Sequence, residues 1–361
     1  MECTLILGLL LLFGGITFAV PMYDNDRYEG DRCLLADNVT DGICRHYLTC
    51  DYLRNLPKPQ WKTCSFVGSD PIVCCDEKPV KSFQIISKIS TDACERFPMT
   101  SGVTSHIYQG VTAAINEFPH MAALSYPSDR PETQFRCGAS LISDRFLLTA
   151  AHCADNPRPD FARMGVVNLF ERNTNDEPVN IGIANVMIHP QYKTVPLQND
   201  IALLELNRTV TEPFLNPACL YTNSTDPGPD VILSIEGWGR YDSKTYDASP
   251  VLLKANVSIV DRTECNYTVA HQKAVTNTRK LLGELQSTQI CALGRDDRNV
   301  TTADACEGDS GGPLELITKN RRYIVGITSS GKPCGTANSP GIYTRVSQYI
   351  GWIESIVWPD Q

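Results

Sequence analysis

The sequence predicts an all-β barrel or sandwich preceded by a small, cysteine-stapled module and closed by one helix. Three observations carry this. From Ile107 onward, short β-branched and aromatic runs recur between Gly, Pro and Asn punctuation, among them AALSYP, CGASLIS, FLLTAAH, DIALLEL, VILSIEGWG, YIVGITSSG and GIYTRV. Six cysteines crowd between positions 33 and 75. Only the closing stretch VSQYIGWIESIV sets apolar residues at helical spacing, at Val346, Ile350, Ile353 and Val357.

The chain of 361 residues is 42% hydrophobic and 20% charged, enough to bury a full core in two or more domains and unlike a disordered chain. Its formal net charge of -9 offers no basic field to draw in phosphates, so neither nucleic acid nor an anionic membrane is expected as a partner. No repeat of solenoid period is present.

Residues 1–19 read as a signal peptide: an apolar run from Leu5 to Phe13 is followed by Thr17 and Ala19, which suits cleavage near Ala19. That run falls short of the roughly 20 apolar residues a membrane span needs. Six Asn-X-Ser/Thr sequons, at Asn38, Asn207, Asn223, Asn256, Asn266 and Asn299, fit an exported, extracellular glycoprotein surface. Removing Cys3 with the signal leaves 14 of the 15 cysteines, an even number that can close seven disulfides in an oxidising compartment. Zinc is the competing use of clustered cysteines, but CxxC knuckles and paired histidines are missing.

Cys33, Cys44, Cys50, Cys64, Cys74 and Cys75 lie in a segment too short to bury a sufficient core. Three bridges, each contributing about 2–4 kcal/mol, would be its main stabilisation, and spacing alone leaves 15 connectivities open. The stretch DEKPVKSFQIISKISTDA after it begins with a charged, Pro-containing run, and residues 76–106 are expected to serve as linker and activation segment.

Three motifs in the β region carry chemistry. LLTAAHC sets His152 at the end of an apolar strand, NDIALLEL sets Asp200 at the start of another, and DACEGDSGGPL holds Ser310 in a glycine-rich turn. Singly each has a bland reading, as a satisfied histidine, a turn-forming acid and a tight turn. Together, in the order His, Asp, Ser, they form a nucleophilic triad set. A serine hydroxyl is a poor nucleophile until a neutral imidazole can take its proton, and the imidazole needs a buried carboxylate to fix its tautomer.

With these motifs, residues 107–361 resemble the chymotrypsin-like S1 peptidases. The spacing C-x10-C-x5-C-x13-C-x9-CC, ending in SDPIVCC, resembles the clip domain that precedes many arthropod extracellular serine proteases, including the group that holds snake and persephone. The resemblance implies a chymotrypsin-like double β-barrel with a C-terminal helix (107–361) behind a clip domain (33–75). It implies a serine endopeptidase with His152, Asp200 and Ser310 catalytic and the amides of Gly308 and Ser310 as oxyanion hole. It also implies the pairings Cys33–Cys74, Cys44–Cys64, Cys50–Cys75, Cys94–Cys219, Cys137–Cys153, Cys265–Cys291 and Cys306–Cys334. Asp304, six residues before Ser310, matches the floor of the S1 pocket, and Gly331 and Gly341 its walls, which implies cleavage after Arg or Lys. Ser329 matches a residue that hydrogen-bonds the substrate backbone. Ser330 departs from the usual bulky aromatic, so the family's apolar S2 to S4 preferences are not carried over; Val166 stands where calcium-binding relatives carry an acid, so no metal is expected, and no cofactor is implied. Expected partners are protein substrates, downstream protease zymogens among them, and a serpin-type inhibitor. The alternative function is that of a non-catalytic clip-domain homologue acting as a binding cofactor, a form that usually carries Gly in place of the serine.

Family activation occurs by cleavage before an Ile whose new α-amino group pairs with the acid beside the nucleophile. Ile107 and Asp309 match those positions, with TAAINEFPHMAAL continuing the pattern. Tyr108 and Gln109 replace the usual Val and Gly, and His106 replaces the usual Arg or Lys. A neutral histidine does not suit an acidic S1 slot, so the activator is expected to be other than trypsin-like.

Overall fold

The computed structural model describes residues 32–36, 38, 41–46, 50, 62–67, 70–76, 81–99, 111–130, 133–170, 178–240, 248–276, 284–295, 301–303, 308–318, 321–330 and 340–359. The signal stretch, the His106–Ile107 junction, Asp304, Cys306, Gly331, Cys334 and Asn299 lie outside them. The chain divides into two compact units between Gln84 and Ile85.

The first unit holds a four-stranded antiparallel sheet in the order Arg32–Leu34, Asp41–His46, Asp70–Asp76, Thr63–Val67. Its core is small, built on Leu35, Ile72 and Val73 among cysteines that are themselves buried. The structure joins Cys33 to Cys74, Cys44 to Cys64 and Cys50 to Cys75. Neighbouring residues of a strand face opposite sides, which lets the adjacent pair Cys74 and Cys75 take different partners.

Within the stretch expected as a linker, Lys81–Arg96 forms helix α1. From Ile85 onward the helix belongs to the second unit. Cys94 is bonded to Cys219, and the Arg321 guanidinium donates to the carbonyls of Cys94, Glu95 and Phe97 at the helix end, where carbonyls lack helical partners. The Ser90 amide donates to Glu354 Oε1 (2.9 Å), and Asn216 Nδ2 donates to the Pro98 carbonyl (2.8 Å). The structure anchors this part of the helix through partners more than 100 positions away.

The second unit contains two β-barrels. Strands β1 (Met121–Ser125), β2 (Phe135–Leu141), β3 (Phe146–Thr149), β4 (Phe161–Met164), β5 (Val179–Ile188) and β6 (Ala202–Leu206) close a barrel in the order β5-β6-β3-β2-β1-β4. Leu124, Leu141, Leu147, Leu148, Ile181, Leu203 and Leu204 fill it. Strands β7 (Leu233–Gly237), β8 (Leu253–Ile259), β9 (Gln289–Arg295), β10 (Pro313–Ile317), β11 (Arg322–Ser330) and β12 (Gly341–Arg345) follow the order β9-β12-β11-β10-β7-β8, and pairing of β8 with β9 closes the ring. Leu233, Val257, Ile290, Leu314, Val325 and Tyr343 form this second core. The fold is the chymotrypsin-like double β-barrel, preceded by a disulfide-rich region and followed by a C-terminal helix.

Among the other helices, α2 (Ala151–Ala154) is the turn after β3, and α4 (Ile350–Val357) buries Ile350, Ile353 and Val357 against the first barrel. Val346, expected on that same helix, sits in the preceding 3-10 turn and is equally buried. Helix α3 (Arg262–Thr276) was not expected. Asp261 Oδ1 accepts from the Thr263 amide (2.7 Å) at its start, and Cys265 and Val269 are its buried contacts, with Cys265 bonded to Cys291.

Candidate active site

His152 and Asp200 come from the first barrel. The Asp200 side chain is 2% exposed and its acceptor oxygens are surrounded by donors. Asp200 Oδ2 lies 2.8 Å from His152 Nδ1 and accepts from Ser329 Oγ (2.6 Å), while Oδ1 accepts from the His152 amide (2.9 Å). The Asp200 carbonyl accepts from Thr344 Oγ1 (2.8 Å). An ionised carboxylate buried this deeply is tolerable because each oxygen is hydrogen-bonded. The contacts fix His152 by two bonds to one carboxylate, one from its ring and one from its backbone amide. His152 Nε2 is left on the other side of the ring, 3.6 Å from the Cys153 sulfur that is bonded to Cys137.

Asp200 is itself held from behind. Asn199, at a left-handed φ of 48°, accepts from the Tyr349 hydroxyl at its Oδ1 (2.8 Å) and donates from Nδ2 to the Gln191 carbonyl (2.9 Å). Burial pushes the Tyr349 phenol up to about 12, so it remains a donor through the neutral range.

Ser310 arrives from the second barrel, in the turn that leads into β10. Gly308 and Gly311 flank it at φ of +99° and +78°, a region that side chains with a Cβ rarely enter. A Cβ on Gly311 would stand 2.2 Å from Thr149 Oγ1 and 2.5 Å from the Gly138 carbonyl, so the turn packs directly on the segment that leads into His152. The Ser310 carbonyl accepts from the Gly138 amide (2.8 Å), next to the Cys137–Cys153 bridge. The barrel interface thus sets the Ser310 turn against the strand that leads into His152, although the two residues lie 158 positions apart in sequence.

Asp309 is cradled by the end of β7. Its Oδ1 accepts from the Gly239 amide (2.8 Å), and a Cβ on Gly237 would lie 1.9 Å from the same oxygen. The hydroxyl of Ser329, expected on the substrate backbone, is turned to Asp200. Its backbone falls where the β11–β12 register shifts, between Thr328 and Ser330. Gly341 opens β12, buried and paired with Ala292. The expected pocket floor at Asp304 and wall at Gly331 fall outside the described residues.

Among the described sequons, Asn38, Asn207 and Asn223 are exposed, whereas Asn256 and Asn266 are partly buried and Asn266 Oδ1 accepts from the Leu285 amide (2.6 Å). Two groups have metal-like proximity, Cys33 with Cys44 and Cys64, and Cys137 with His152 and Cys153. Every sulfur in them is in a disulfide, so no thiolate is offered. No helix among the described residues is long and apolar enough to cross a membrane.

Sequence reasoning missed Thr344, Gly138 and Thr149, which support the site from other strands. It also missed a set of buried charges, including Glu236 and Glu315. Lone acids inside apolar strand runs were the available sign.

Residues 107–353 match the family described as Trypsin. The chain is 40% identical to Serine protease Hayan of Drosophila melanogaster over 281 residues, which is 75% of this chain and 42% of that protein. It thus spans less than half the length of that relative. It is 36% identical to CLIP domain-containing serine protease C9 of Anopheles gambiae over 70% of this chain and 68% of the other. With Phenoloxidase-activating enzyme 1 of Spodoptera litura it shares 33% identity over 81% and 82% of the two chains. The double barrel, the disulfide-stapled N-terminal sheet and these likenesses place the chain in the trypsin family of serine proteases, among its arthropod clip-domain members.

Proposed function

We propose that the chain is the secreted zymogen of a serine endopeptidase that cleaves proteins after Arg or Lys in an extracellular cascade. The observation that carries this reading is the doubly hydrogen-bonded His152–Asp200 pair, together with the Ser310 turn packed on the strand that leads into His152. In the proposed mechanism, His152 Nε2 takes the Ser310 proton as Oγ attacks the scissile carbonyl. Asp200 stabilises the resulting imidazolium without becoming protonated. The amides of Gly308 and Ser310 receive the oxyanion, and loss of one such donor costs about 10²- to 10³-fold in rate. His152 then protonates the leaving amine, and water repeats the sequence on the acyl-enzyme.

Domain roles follow the same reading: residues 1–19 direct export, 33–75 dock a partner, 76–106 hold the activation junction and 107–361 form the peptidase. Downstream protease zymogens are the substrates and a serpin-type protein is the inhibitor. Phenoloxidase activation, the activity in the printed name of the Spodoptera relative, is the cascade favoured for it.

The function is tested by labelling an activated preparation with a fluorophosphonate. Label is expected on wild type and absent from Ser310→Ala. An activated, folded wild type that stays unlabelled while trypsin labels would establish the non-catalytic alternative.

Specificity has its own test. Asp304→Ser removes the countercharge expected at the pocket floor and should cost Arg substrates about 2–5 kcal/mol in kcat/KM, because the guanidinium is then desolvated without a partner. A wild-type enzyme that prefers Phe or Leu over Arg at the scissile position would overturn the assignment.

A further inference from the structure

Six ionisable side chains form a buried cluster that the catalytic reading does not use. Glu117 and His120 lie on the segment entering β1, Glu236 on β7, Lys254 on β8, Glu315 on β10 and Arg322 on β11. His120 and Glu315 are 0% exposed, and none of Glu236, Lys254 and Arg322 exceeds 6%. Lys254 Nζ donates to Glu117 Oε1, and Arg322 donates to Glu315 Oε1 (2.6 Å) and to the Glu117 carbonyl. His120 Nε2 stands 3.3 Å from Glu315 Oε2.

The charges do not balance. Three carboxylates face two basic side chains, and among the described residues Glu236 is in no ion pair, with only the Ser234 hydroxyl and the Glu315 carboxyl beside it. A buried anion without a partner is costly, so the cluster reaches neutrality by holding one proton. Burial and the neighbouring Glu315 both raise the pKa of Glu236, and burial raises that of Glu315 against the pull of Arg322. Burial and Arg322 hold His120 neutral. The proton therefore belongs to the carboxyl pair and not to the imidazole.

The position of this pair connects it to catalysis. Glu236 immediately precedes Gly237, and together with Gly239 that residue forms the cradle of Asp309. A Cβ on Gly312 would lie 3.0 Å from the Glu236 carbonyl and 2.9 Å from that of Asp309, so there is no slack between β7 and the Ser310 turn. We propose that the Glu236–Glu315 pair is a positioning element that holds one buried proton, and that its ionisation displaces the end of β7 and adds its own alkaline fall in kcat to the one imposed by loss of the Ile107 α-amino proton. This rests on the peptidase reading above and extends it to the pH range of the same site.

Stability carries the sign of the effect. Unfolding releases Glu236 to ionise as an ordinary carboxyl. Its contribution is therefore complete below the usual carboxylate range and is lost as pH climbs to the point where the folded pair ionises.

The test uses the full-length chain with an enteropeptidase recognition sequence placed ahead of Ile107. Wild type, Glu236→Gln and Glu236→Asp are compared by kcat and KM across the alkaline range and by zymogen Tm against pH. Gln keeps the shape of the protonated acid but cannot ionise. It should remove that added fall from the alkaline limb of kcat and flatten the fall of Tm, whereas Asp should keep both. The α-amino group of Ile107 is present in all three and cannot produce such a difference. Superimposable alkaline limbs overturn the proposal, with or without a change in Tm slope. If Gln prevents folding, the infrared carbonyl band of wild-type zymogen decides: absence of a protonated carboxylic acid at neutral pH overturns it. A properly folded enzyme with no activity in any variant would instead refute the peptidase reading, and the Tm and infrared measurements would still report on the pair.

Discussion

Asp200→Asn should lower kcat by about 10⁴-fold while leaving KM and the fold nearly unchanged. Three donors converge on the Asp200 carboxylate: the His152 amide, the His152 ring and the Ser329 hydroxyl. An anion accepts all of them. An asparagine presents one acceptor and one donor, so its Nδ2 must face a group that is also donating. The cheapest relief is for the imidazole to move its proton to Nε2, which removes the acceptor that Ser310 needs. Asn fits the same space, and Thr344 still reaches the backbone carbonyl of residue 200, so packing survives. The check is single-turnover acylation of the activated variant with an Arg ester beside a thermal melt. A loss below about tenfold with an unchanged melt would show that Asp200 does not set the tautomer of His152.

Much of this site is legible in the sequence because its residues sit in local motifs. TAAHC, NDIALLEL and GDSGGPL each fix a short backbone shape, and the apolar runs before or after them become β3, β6 and β10. The supporting contacts are hidden because they pair residues with no local relation. Ser329 is 129 positions from Asp200, and Thr344 is 144. The buried cluster is harder still: Glu315 in PLELI has the look of a solvent-facing residue in an alternating strand, and only its pairing with Arg322 and its approach to His120 show otherwise. Helix α3 was missed for a related reason. RTECNYTVAHQKAVT lacks a continuous apolar stripe, and a disulfide from Cys265 to Cys291 anchors it where a stripe would otherwise be needed.

Trypsin should fail to activate the wild-type zymogen at the His106–Ile107 junction, and His106→Arg should make that bond a rapid trypsin site. No Arg or Lys occurs from Phe97 to Tyr108, so no neighbouring bond offers a substitute. Histidine is shorter than Arg and, with an ordinary pKa near 6.5, mostly neutral at pH 7, so it cannot pair with an acid at the base of a deep S1 pocket. The same reasoning excludes autoactivation by an enzyme of Arg/Lys specificity and points to an activator of another class. The segment just after the junction is seated on β8. Val111–Thr112 pairs with Leu253–Lys254, the Ala113 amide donates to the Leu252 carbonyl, and Ala113 and Phe118 are buried. Cleavage before Ile107 would therefore place the new terminus four residues ahead of a seated strand. The clip-bearing chain should stay attached through Cys94–Cys219, separating from the peptidase only under reduction. Zymogen is incubated alone, with trypsin, and as His106→Arg with trypsin, followed by N-terminal sequencing and an Arg-ester assay. IYQG should appear only in the third tube, together with activity and a species that stays intact on a non-reducing gel. Prompt appearance of IYQG with full activity in either wild-type tube would mean that this junction is an ordinary trypsin or autolytic site.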